Sequence, residues 1–239
     1  MTVALVFAGG RGERMGNPTC PKQFLKLYGK PVIIYTLEIF EKSPSIDRIV
    51  VACLQGWEDF LSSESKKYGI SKLWKIVNGG PTSLLSKKNA LDSLANVCDR
   101  DELIVFHDAV RPLINVELVE ENIKCAIKYG NCVTIESFNE TGAILGDDFL
   151  ISSVMPREKI VIARAPQVFR YGDVMDVLGD YEKLPNFVTI DLCSIMCYHG
   201  VSLHTVQSSP YNIKITTPED FYIFKAMVDM DNLNEVSRR

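Results

Sequence analysis

The sequence predicts an α/β fold in which helices flank one mostly parallel sheet. Two observations predict it. Short apolar runs rich in β-branched residues alternate with amphipathic stretches of helical period along the 239 residues, which is typical of βαβ units. Hydrophobic residues make up 46% of the chain and charged residues 23%. That composition and this length are typical of one large domain with a buried core, spanning residues 1–239.

The predicted elements can be placed in chain order. Strands are expected at Val3–Phe7, Arg48–Cys53, Trp74–Val77, Leu103–Phe106, Cys132–Ile135, Ile160–Ala163 and Ser202–Val206. Helices are expected at Val32–Lys42, Trp57–Tyr68, Leu84–Val97, Val116–Lys128, Gly172–Gly179, Asp191–Tyr198 and Pro218–Val228. The last helix has good start signals, because Thr217 can cap it and Pro218 suits the first helical position.

One segment, from Ser137 to about Pro156, breaks this alternation. The turn residues Gly146-Asp147-Asp148 stand between short apolar runs without a helical period, which predicts two short strands forming a projecting arm at about 137–156. A hairpin buries too little apolar surface to be stable alone. We therefore expect the arm to pack on something else, and a second subunit is the obvious candidate.

Composition and charge exclude several classes of protein. A formal net charge of −4 argues against broad nucleic-acid binding, which needs a basic surface. No apolar run approaches the roughly 20 residues of a membrane helix, and Met1–Ala8 lacks the basic start of a signal peptide. Seven cysteines form no CxxC pair, which favours free thiols in the cytoplasm. The protein is therefore expected to be cytoplasmic, without membrane insertion.

A glycine-rich loop follows the first predicted strand and is the strongest functional signal. Glycines let consecutive backbone N–H groups approach an anion, and Arg and Lys make strong charge-assisted bonds to phosphate. The loop is not a dinucleotide fingerprint, because Met15 stands where a glycine is needed, and no Gly-Lys-Ser/Thr of a P-loop is present. The residues expected around a triphosphate are Ala8, Gly9, Gly10, Gly12, Arg14 and Lys22. The alternative is a plain strand–loop–helix turn with solvated charges, which three glycines in four positions and the following Pro-Lys disfavour.

A second cluster, His107 to Pro112, directly follows the strand predicted at Leu103–Phe106. Ligands of open α/β sheets bind at the carboxyl ends of the strands, so this cluster and the glycine loop share an edge if both strands are parallel. Asp108 is expected to hold Mg²⁺ or a substrate hydroxyl. The alternative is an Asp108–Arg111 ion pair that only shapes the turn. His107 is expected to be structural.

A third cluster places Lys214 between Asn212 and the start of the last helix. Helix N-termini attract anions, and a lysine beside one strengthens the site. Lys214 alone would be interpreted as a solvated surface charge. Two other anion-binding loops are expected at the same edge of the sheet, so phosphate contact is the favoured interpretation.

Together these residues resemble the cytidylyltransferases that act on methylerythritol phosphate and on ribitol 5-phosphate. The similarity extends over nearly the whole chain and is somewhat greater to the ribitol phosphate branch, through Gln55-Gly56-Trp57 and Met15-Gly16-Asn17. The matching motifs, in family order and spacing, are Ala8–Met15, Pro21–Gln23, Gly79–Gly80, His107–Pro112, Ala165–Gln167 and Asn212–Glu219.

The resemblance implies a Rossmann-like sheet of the nucleotide-diphospho-sugar transferase type, a homodimer formed through the β-arm, Mg²⁺, and CTP as donor. It implies that Arg14 and Lys22 bind the triphosphate and stabilise the transition state, and that Lys214 contacts the α-phosphate. Nucleotide-binding roles are implied for Ala8, Gly9, Gly10, Gly12, Gly79, Gly80 and Ser86. Acceptor-binding roles are implied for Asp108 (also beside the metal), Arg111, Thr141 (from the neighbouring subunit), Arg157 and Asp191.

The expected reaction transfers CMP from CTP to ribitol 5-phosphate or a related polyol phosphate, releasing pyrophosphate and forming a CDP-polyol for surface-polymer synthesis. A phosphate monoester is its own nucleophile at pH 7, so no general base is needed. Two alternatives remain. One is the same chemistry on methylerythritol phosphate for isoprenoids, or with another nucleotide on a sugar phosphate. The other is a degenerate member that binds nucleotide without turnover.

Three stretches of the sequence depart from the family pattern. The acidic residue and the arginine that commonly follow the paired glycines are Pro81 and Ser83 here, although Ser86 is kept. The family's Thr-Asp-Asp is Ile190-Asp191-Leu192, and the threonine before Pro-Gln is Ala165. The change at Pro81 and Ser83 favours a degenerate member that binds nucleotide without turnover. The intact Arg14, Lys22, Asp108 and Lys214 oppose that alternative. An unusual acceptor would account for all three changes.

Overall fold

The computed structural model describes residues 1–10, 12, 15, 19–179, 184–185 and 191–237. Its strands, in chain order, are β1 (Thr2–Ala8), β2 (Lys26–Leu27), β3 (Lys30–Pro31), β4 (Arg48–Cys53), β5 (Leu73–Asn78), β6 (Leu103–Asp108), β7 (Asn131–Ser137), β8 (Ala143–Leu145), β9 (Ile151–Val154), β10 (Val161–Arg170) and β11 (Thr205–Gln207). Its helices are α1 (Val32–Lys42), α2 (Glu58–Lys67), α3 (Ser83–Asp92), α4 (Val116–Tyr129), α5 (Tyr171–Leu178), α6 (Leu192–Tyr198) and α7 (Pro218–Ser237).

The central sheet has the strand order β11-β7-β10-β6-β1-β4-β5. Strand β1 pairs in parallel with β4 and β6, β4 pairs in parallel with β5, and β7 pairs in parallel with β11. Only β10, among the described strands of this sheet, runs antiparallel to its neighbours β6 and β7. The predicted α/β fold with a mostly parallel sheet is confirmed.

The two largest apolar clusters of the core lie on opposite faces of the sheet, and a smaller third cluster includes Ile215 and Phe224. Successive side chains of a strand point to opposite faces, and in β1 Ala4 and Val6 pack in one layer while Val3 and Leu5 pack in the other. Helices α1, α2 and α4 cover the first face, and α3, α5 and α6 cover the second. Both faces of β1 are therefore buried, which holds the end of this strand rigidly in place.

Most element bounds lie within a few residues of the predicted ones, with three larger differences. Strand β10 was predicted only as Ile160–Ala163 but continues through Pro166 to Arg170, with a register shift between Ala163 and Gln167. A bulge of this kind admits a proline into a paired strand. Helix α3 ends at Asp92 rather than Val97, and α7 continues to Ser237. Among the described residues, no helix is both long and apolar enough to cross a membrane.

The segment that broke the α/β alternation forms the predicted arm. Strands β8 and β9 pair antiparallel, and a 3-10 turn at Asp147–Phe149 connects them. Nearly all side chains from Glu140 to Lys159 are exposed. The exposed apolar side chains of the arm include Ile144, Leu145, Phe149 (89% exposed), Leu150, Ile151, Val154 and Met155.

Candidate active site

The predicted functional loops meet at one edge of the sheet, where β1, β4, β5 and β6 all end. Phe7 of β1 stands opposite Asp108 of β6, and the Ala109 amide donates to the Phe7 carbonyl at 3.0 Å. The glycine loop that follows β1 and the acidic cluster that follows β6 are therefore neighbours, as predicted from parallel strands.

A cleft of about 800 Å³ opens over this edge, a size typical of small-molecule sites. Ser83 lines it together with the residue after β4, Leu54. The predicted nucleotide-binding residues all line this cleft: Ala8, Gly9, Gly10, Gly12, Gly79, Gly80 and Ser86, together with Lys22.

Close packing of two loops explains why glycine is needed at Gly9 and Gly79. A Cβ atom on Gly79 would lie 3.0 Å from the Gly9 Cα and 3.1 Å from the Cys53 carbonyl oxygen. The hydroxyl of Ser86 accepts the Gly80 amide at 3.0 Å and donates to the Thr82 carbonyl at 3.0 Å. The floor of the cleft is therefore formed by closely packed backbone segments whose glycines carry no side chain, which leaves room for a ligand above them.

We expect Gly79→Ala to lower the free energy of unfolding by about 1–3 kcal/mol, the usual cost of overpacking. The two nearest contacts of the added methyl group are backbone atoms, which cannot rotate away as a side chain can. Gly10→Ala is the control, because a Cβ there meets nothing within 4 Å. Thermal unfolding of both variants tests the prediction, and equal unfolding temperatures would contradict it.

Gln23 supports the glycine loop from below. Its side chain is buried, and its amide donates to the carbonyls of Ala8 at 2.6 Å and Gly10 at 2.9 Å. These bonds turn the loop carbonyls inward, toward Gln23. Sequence reasoning did not assign Gln23 this role, although it lies in the Pro21–Gln23 motif.

A second, smaller cavity of about 200 Å³ adjoins the cleft; we call it the chamber. Among the residues that the structure describes, it shares four with the lining of the cleft, namely Phe7, Ser83, Asp108 and Lys214. The other residues that line the chamber are Lys87, Phe106, His107, Arg111, Ala163, Arg164, Ala165, Gln167, Asp191 and Leu192. The two cavities therefore meet at a boundary that carries the carboxylate of Asp108 and the ammonium group of Lys214.

Asp108 is held between two cations at this boundary. The Nε atom of Arg111 donates to its Oδ2 at 2.8 Å, and the Nζ atom of Lys214 donates to its Oδ1 at 2.8 Å. Burial alone would raise the pKa of the Asp108 carboxyl, but Lys214 and Arg111 hold that pKa well below its ordinary value. Asp108 is therefore ionised at neutral pH, and the ion pair with Arg111 that the sequence offered as an alternative is present.

The loop that carries Lys214 is fixed at several points. The Asn212 side chain donates to the Ala165 carbonyl at 2.7 Å, and the Asn212 carbonyl accepts from Nη1 of Arg111 at 3.0 Å. Beyond the lysine, the Thr217 amide donates to the Asp220 carboxylate at 2.8 Å, as in a capping box. The ammonium group is thus presented by a braced loop.

His107 lies behind the site with its ring buried. Burial lowers the pKa of His107 to about 4, so the imidazole is neutral at pH 7. Its Nε2 atom lies 3.2 Å from the Arg111 carbonyl, which makes Nε2 the protonated nitrogen. This hydrogen bond supports the turn that carries Arg111, in keeping with the structural role expected from the sequence.

The remaining predicted residues divide into three groups. Asp191 lines the chamber and caps α6 by accepting the Ser194 amide at 2.8 Å. Thr141 and Arg157 are exposed on and beside the arm and line neither the cleft nor the chamber. Arg14 lies outside the described residues.

Two basic residues of the chamber were missed by sequence reasoning. Arg164 pairs with Glu136 at 2.7 Å, and Lys87 donates to the Ser83 hydroxyl at 2.7 Å. Arg164 directly precedes Ala165 in the sequence, and no role was predicted for it. A lysine in the middle of a helix ordinarily predicts a solvated position, so no sequence signal indicated Lys87.

Comparison with known proteins is consistent with this geometry. The family model for 2-C-methyl-D-erythritol 4-phosphate cytidylyltransferase matches residues 2–230. The chain belongs to this family. It is 41% identical over 229 residues to the ribitol-5-phosphate cytidylyltransferase of Vibrio parahaemolyticus, covering 96% of each chain. It is 37% identical to the enzyme of that name from Streptococcus agalactiae serotype III, again covering 96% of each.

Among solved structures, the fold resembles 4-diphosphocytidyl-2C-methyl-D-erythritol synthase from Anaerococcus prevotii. The TM-score is 0.81 at 24% identity, covering 95% of this chain and 96% of that one. The nucleotidyltransferase fold is therefore shared along nearly the whole chain. As a family member, the protein is a cytidylyltransferase.

Proposed function

We propose that the protein transfers CMP from CTP to ribitol 5-phosphate or a closely related polyol phosphate. The observation that supports this most directly is the boundary at which the cleft and the chamber meet, with Asp108 and Lys214 lining both. A nucleotide in the cleft and an acceptor in the chamber would place their reacting phosphates at this boundary. The names of the relatives at 37–41% identity favour ribitol 5-phosphate as the acceptor.

In the proposed reaction, an oxygen of the acceptor phosphate attacks the α-phosphorus of CTP. A P–O bond forms there while the bond to the bridging oxygen of the leaving pyrophosphate breaks. Lys214 stabilises charge on the α-phosphate, and Lys22 and Arg14 neutralise the leaving group. The acceptor phosphate is largely dianionic at pH 7 and needs no base. Asp108 fixes Lys214 before the ligands arrive.

Mg²⁺ fits this site only with the triphosphate as its main source of ligands. No group of three or more His, Cys, Asp or Glu side chains suited to a metal occurs among the residues described. Each carboxylate oxygen of Asp108 accepts a hydrogen bond, one from Arg111 and the other from Lys214. Mg²⁺ commonly takes one or two carboxylates plus substrate phosphates, so Asp108 is proposed as its protein ligand. Bound there, the metal would neutralise phosphate charge.

One specific observation favours a second acceptor, 2-C-methyl-D-erythritol 4-phosphate: it is the substrate in the description of the family model. The cleft wall that carries Pro81 and Ser83, where the family pattern has an acid and an arginine, raises a further alternative, nucleotide binding without turnover. One assay separates these functions. Pyrophosphate release is measured for CTP, UTP, ATP and GTP, each with ribitol 5-phosphate and with methylerythritol 4-phosphate.

We expect release with CTP and ribitol 5-phosphate to exceed every other combination. Preference for methylerythritol 4-phosphate would move the function to the second acceptor. Nucleotide binding with no release for any pair would contradict turnover. We place the reaction in the cytoplasm, where free thiols persist, and its CDP-polyol product in surface-polymer synthesis.

We also propose that the protein acts as a homodimer through its arm. The arm exposes most of its large apolar side chains, from Ile144 to Met155, and exposed apolar surface is typical of an interface. Thr141 and Arg157 are adjacent to these side chains and line neither cavity of their own chain. Docking of the arm on a second copy would bring Thr141 to the partner's site.

The double substitution Phe149→Asp, Leu150→Asp is expected to give a monomer with a raised KM for the acceptor. Burying two carboxylates in an apolar interface costs several kcal/mol. Light scattering and steady-state kinetics measure the two effects. Tyr222→Asp on α7, where the side chain is 71% exposed, is the control and should change neither. A double variant that stays dimeric with wild-type KM would contradict the proposal.

A further inference from the structure

Lys87 is a buried lysine with no carboxylate in direct contact among the described residues. Its side chain is 8% exposed, and the hydrogen bond recorded for its ammonium goes to the neutral Ser83 hydroxyl at 2.7 Å. The ammonium also lies 5.2 Å from the centre of the Phe7 ring. Burial lowers the pKa of Lys87, and the nearby Asp108 and Asp191 only partly oppose this.

The position of this lysine is unfavourable for the stability of the fold. Lys87 stands one turn into α3 and reaches back to Ser83, the first residue of that helix. A cation near a helix N-terminus opposes the helix dipole, and an incompletely compensated buried ammonium costs free energy. A residue that weakens the fold at a cavity wall is typical of a binding function.

The chamber shows which part of a ligand Lys87 would meet. In the proposed reaction, which this inference assumes, the reacting phosphate lies at the boundary formed by Asp108 and Lys214. Lys87 lines the chamber and not the cleft. The portion of the acceptor that extends from the boundary into the chamber is its hydroxyl chain, and an ammonium group is a strong donor to hydroxyl oxygens.

We propose that Lys87 is an acceptor-binding residue that donates to the hydroxyls of the polyol chain, with Asp191 as the complementary hydrogen-bond acceptor. The pair offers both a donor and an acceptor, as a row of hydroxyl groups requires. Lys87 then replaces water in the hydration shell of the polyol. Lys87 determines which polyol phosphate is used, whereas the boundary residues act on any phosphate.

The test compares Lys87→Met with wild type in steady-state kinetics. Loss of one charge-assisted bond is expected to raise the KM for ribitol 5-phosphate roughly tenfold to a hundredfold, with the KM for CTP nearly unchanged. The unfolding temperature should stay constant or rise, because a desolvated charge is removed. Lys87→Gln, which keeps an uncharged donor, should be intermediate and serves if the Met variant does not fold.

Lys88→Met is the matched control, because Lys88 is the next residue of the same helix but is exposed and paired with Asp92 at 2.5 Å. Its acceptor KM should equal that of wild type. Inorganic phosphate, used as a competitive inhibitor against the acceptor, separates phosphate from hydroxyl contacts. Its inhibition constant should be unchanged in Lys87→Met, and a parallel rise would assign Lys87 to the phosphate and overturn the proposal.

The outcomes also separate this proposal from the proposed function. If wild type turns over and Lys87→Met has the same acceptor KM, only the role of Lys87 is overturned. A lower unfolding temperature of that variant would count further against this role, because it would show that Lys87 stabilises the fold. If wild type binds ribitol 5-phosphate without turnover, calorimetry on the CMP complex decides instead, since the same loss of affinity is expected. Neither binding nor turnover would overturn both.

Discussion

Lys214→Met is expected to lower kcat roughly a hundredfold to a thousandfold, the usual effect of removing one donor aimed at transition-state charge. The free energy of unfolding should change little. The Lys214 side chain is 42% exposed, methionine keeps most of its length, and Asp108 retains its bond to Arg111. Initial rates of pyrophosphate release and a thermal melt measure the two quantities.

A close control for this variant is available in α7. Lys225 is 46% exposed and pairs with Asp229 at 2.7 Å, so it matches Lys214 in exposure and in having an aspartate partner, but it lines neither cavity. Lys225→Met should have wild-type kcat. Equal kcat values for the two variants would remove Lys214 from the mechanism.

Asp108→Asn is expected to reduce both turnover and stability. The variant leaves the buried guanidinium of Arg111 without its counter-charge, and breaking a buried pair in this way costs about 3–5 kcal/mol. Turnover should fall at least roughly a hundredfold, because Lys214 loses the group that positions it. Chemical denaturation and pyrophosphate release test the two effects. Asp92→Asn, which removes an exposed ion pair with Lys88, should cost no more than about 1 kcal/mol.

The stability difference between Asp108→Asn and wild type should depend on pH in a defined direction. The pKa of Asp108 is lower in the folded protein than in the unfolded chain, where it is about 3.9. Its contribution is therefore fully present above the unfolded pKa and is lost as the pH falls toward the folded pKa. The gap in unfolding temperature should be constant from about pH 8 to pH 5 and narrow below about pH 4. A gap that narrows near neutral pH would contradict this assignment.

Local patterns predicted much of the fold. The sheet, the arm and the common edge of the loops after β1 and β6 follow from alternating apolar periods and from turn residues, which act over a few neighbours. The direction of β10 does not follow, because an apolar run does not encode whether its pairing is parallel or antiparallel. The predicted strand also ended before Pro166, because a proline normally interrupts strand pairing. The register shift that accommodates this proline lies in the pairing of β10 with β7, so the sequence of β10 alone does not reveal it.

In the candidate site too, features set by local sequence were predicted and features set by tertiary packing were not. Glycines and charges in loops marked the cleft, and the structure places Gly9, Gly79 and Asp108 together there. Lys87 could not be found in this way, because its burial depends on what packs against α3 and not on its neighbours in sequence. The acceptor-binding roles of Thr141 and Arg157 stay predictions, because neither residue lines the cleft or the chamber of its own chain.

The two sides of the chamber come from different kinds of element. Asp108 ends a central strand buried on both faces, whereas Lys87 and Ser83 belong to α3 and Leu192 to α6. Substitutions on a covering helix can change a surface without disturbing strand register. A lineage of such enzymes can therefore acquire new acceptors by altering a few helix positions, while the phosphate chemistry at the strand ends stays as it is.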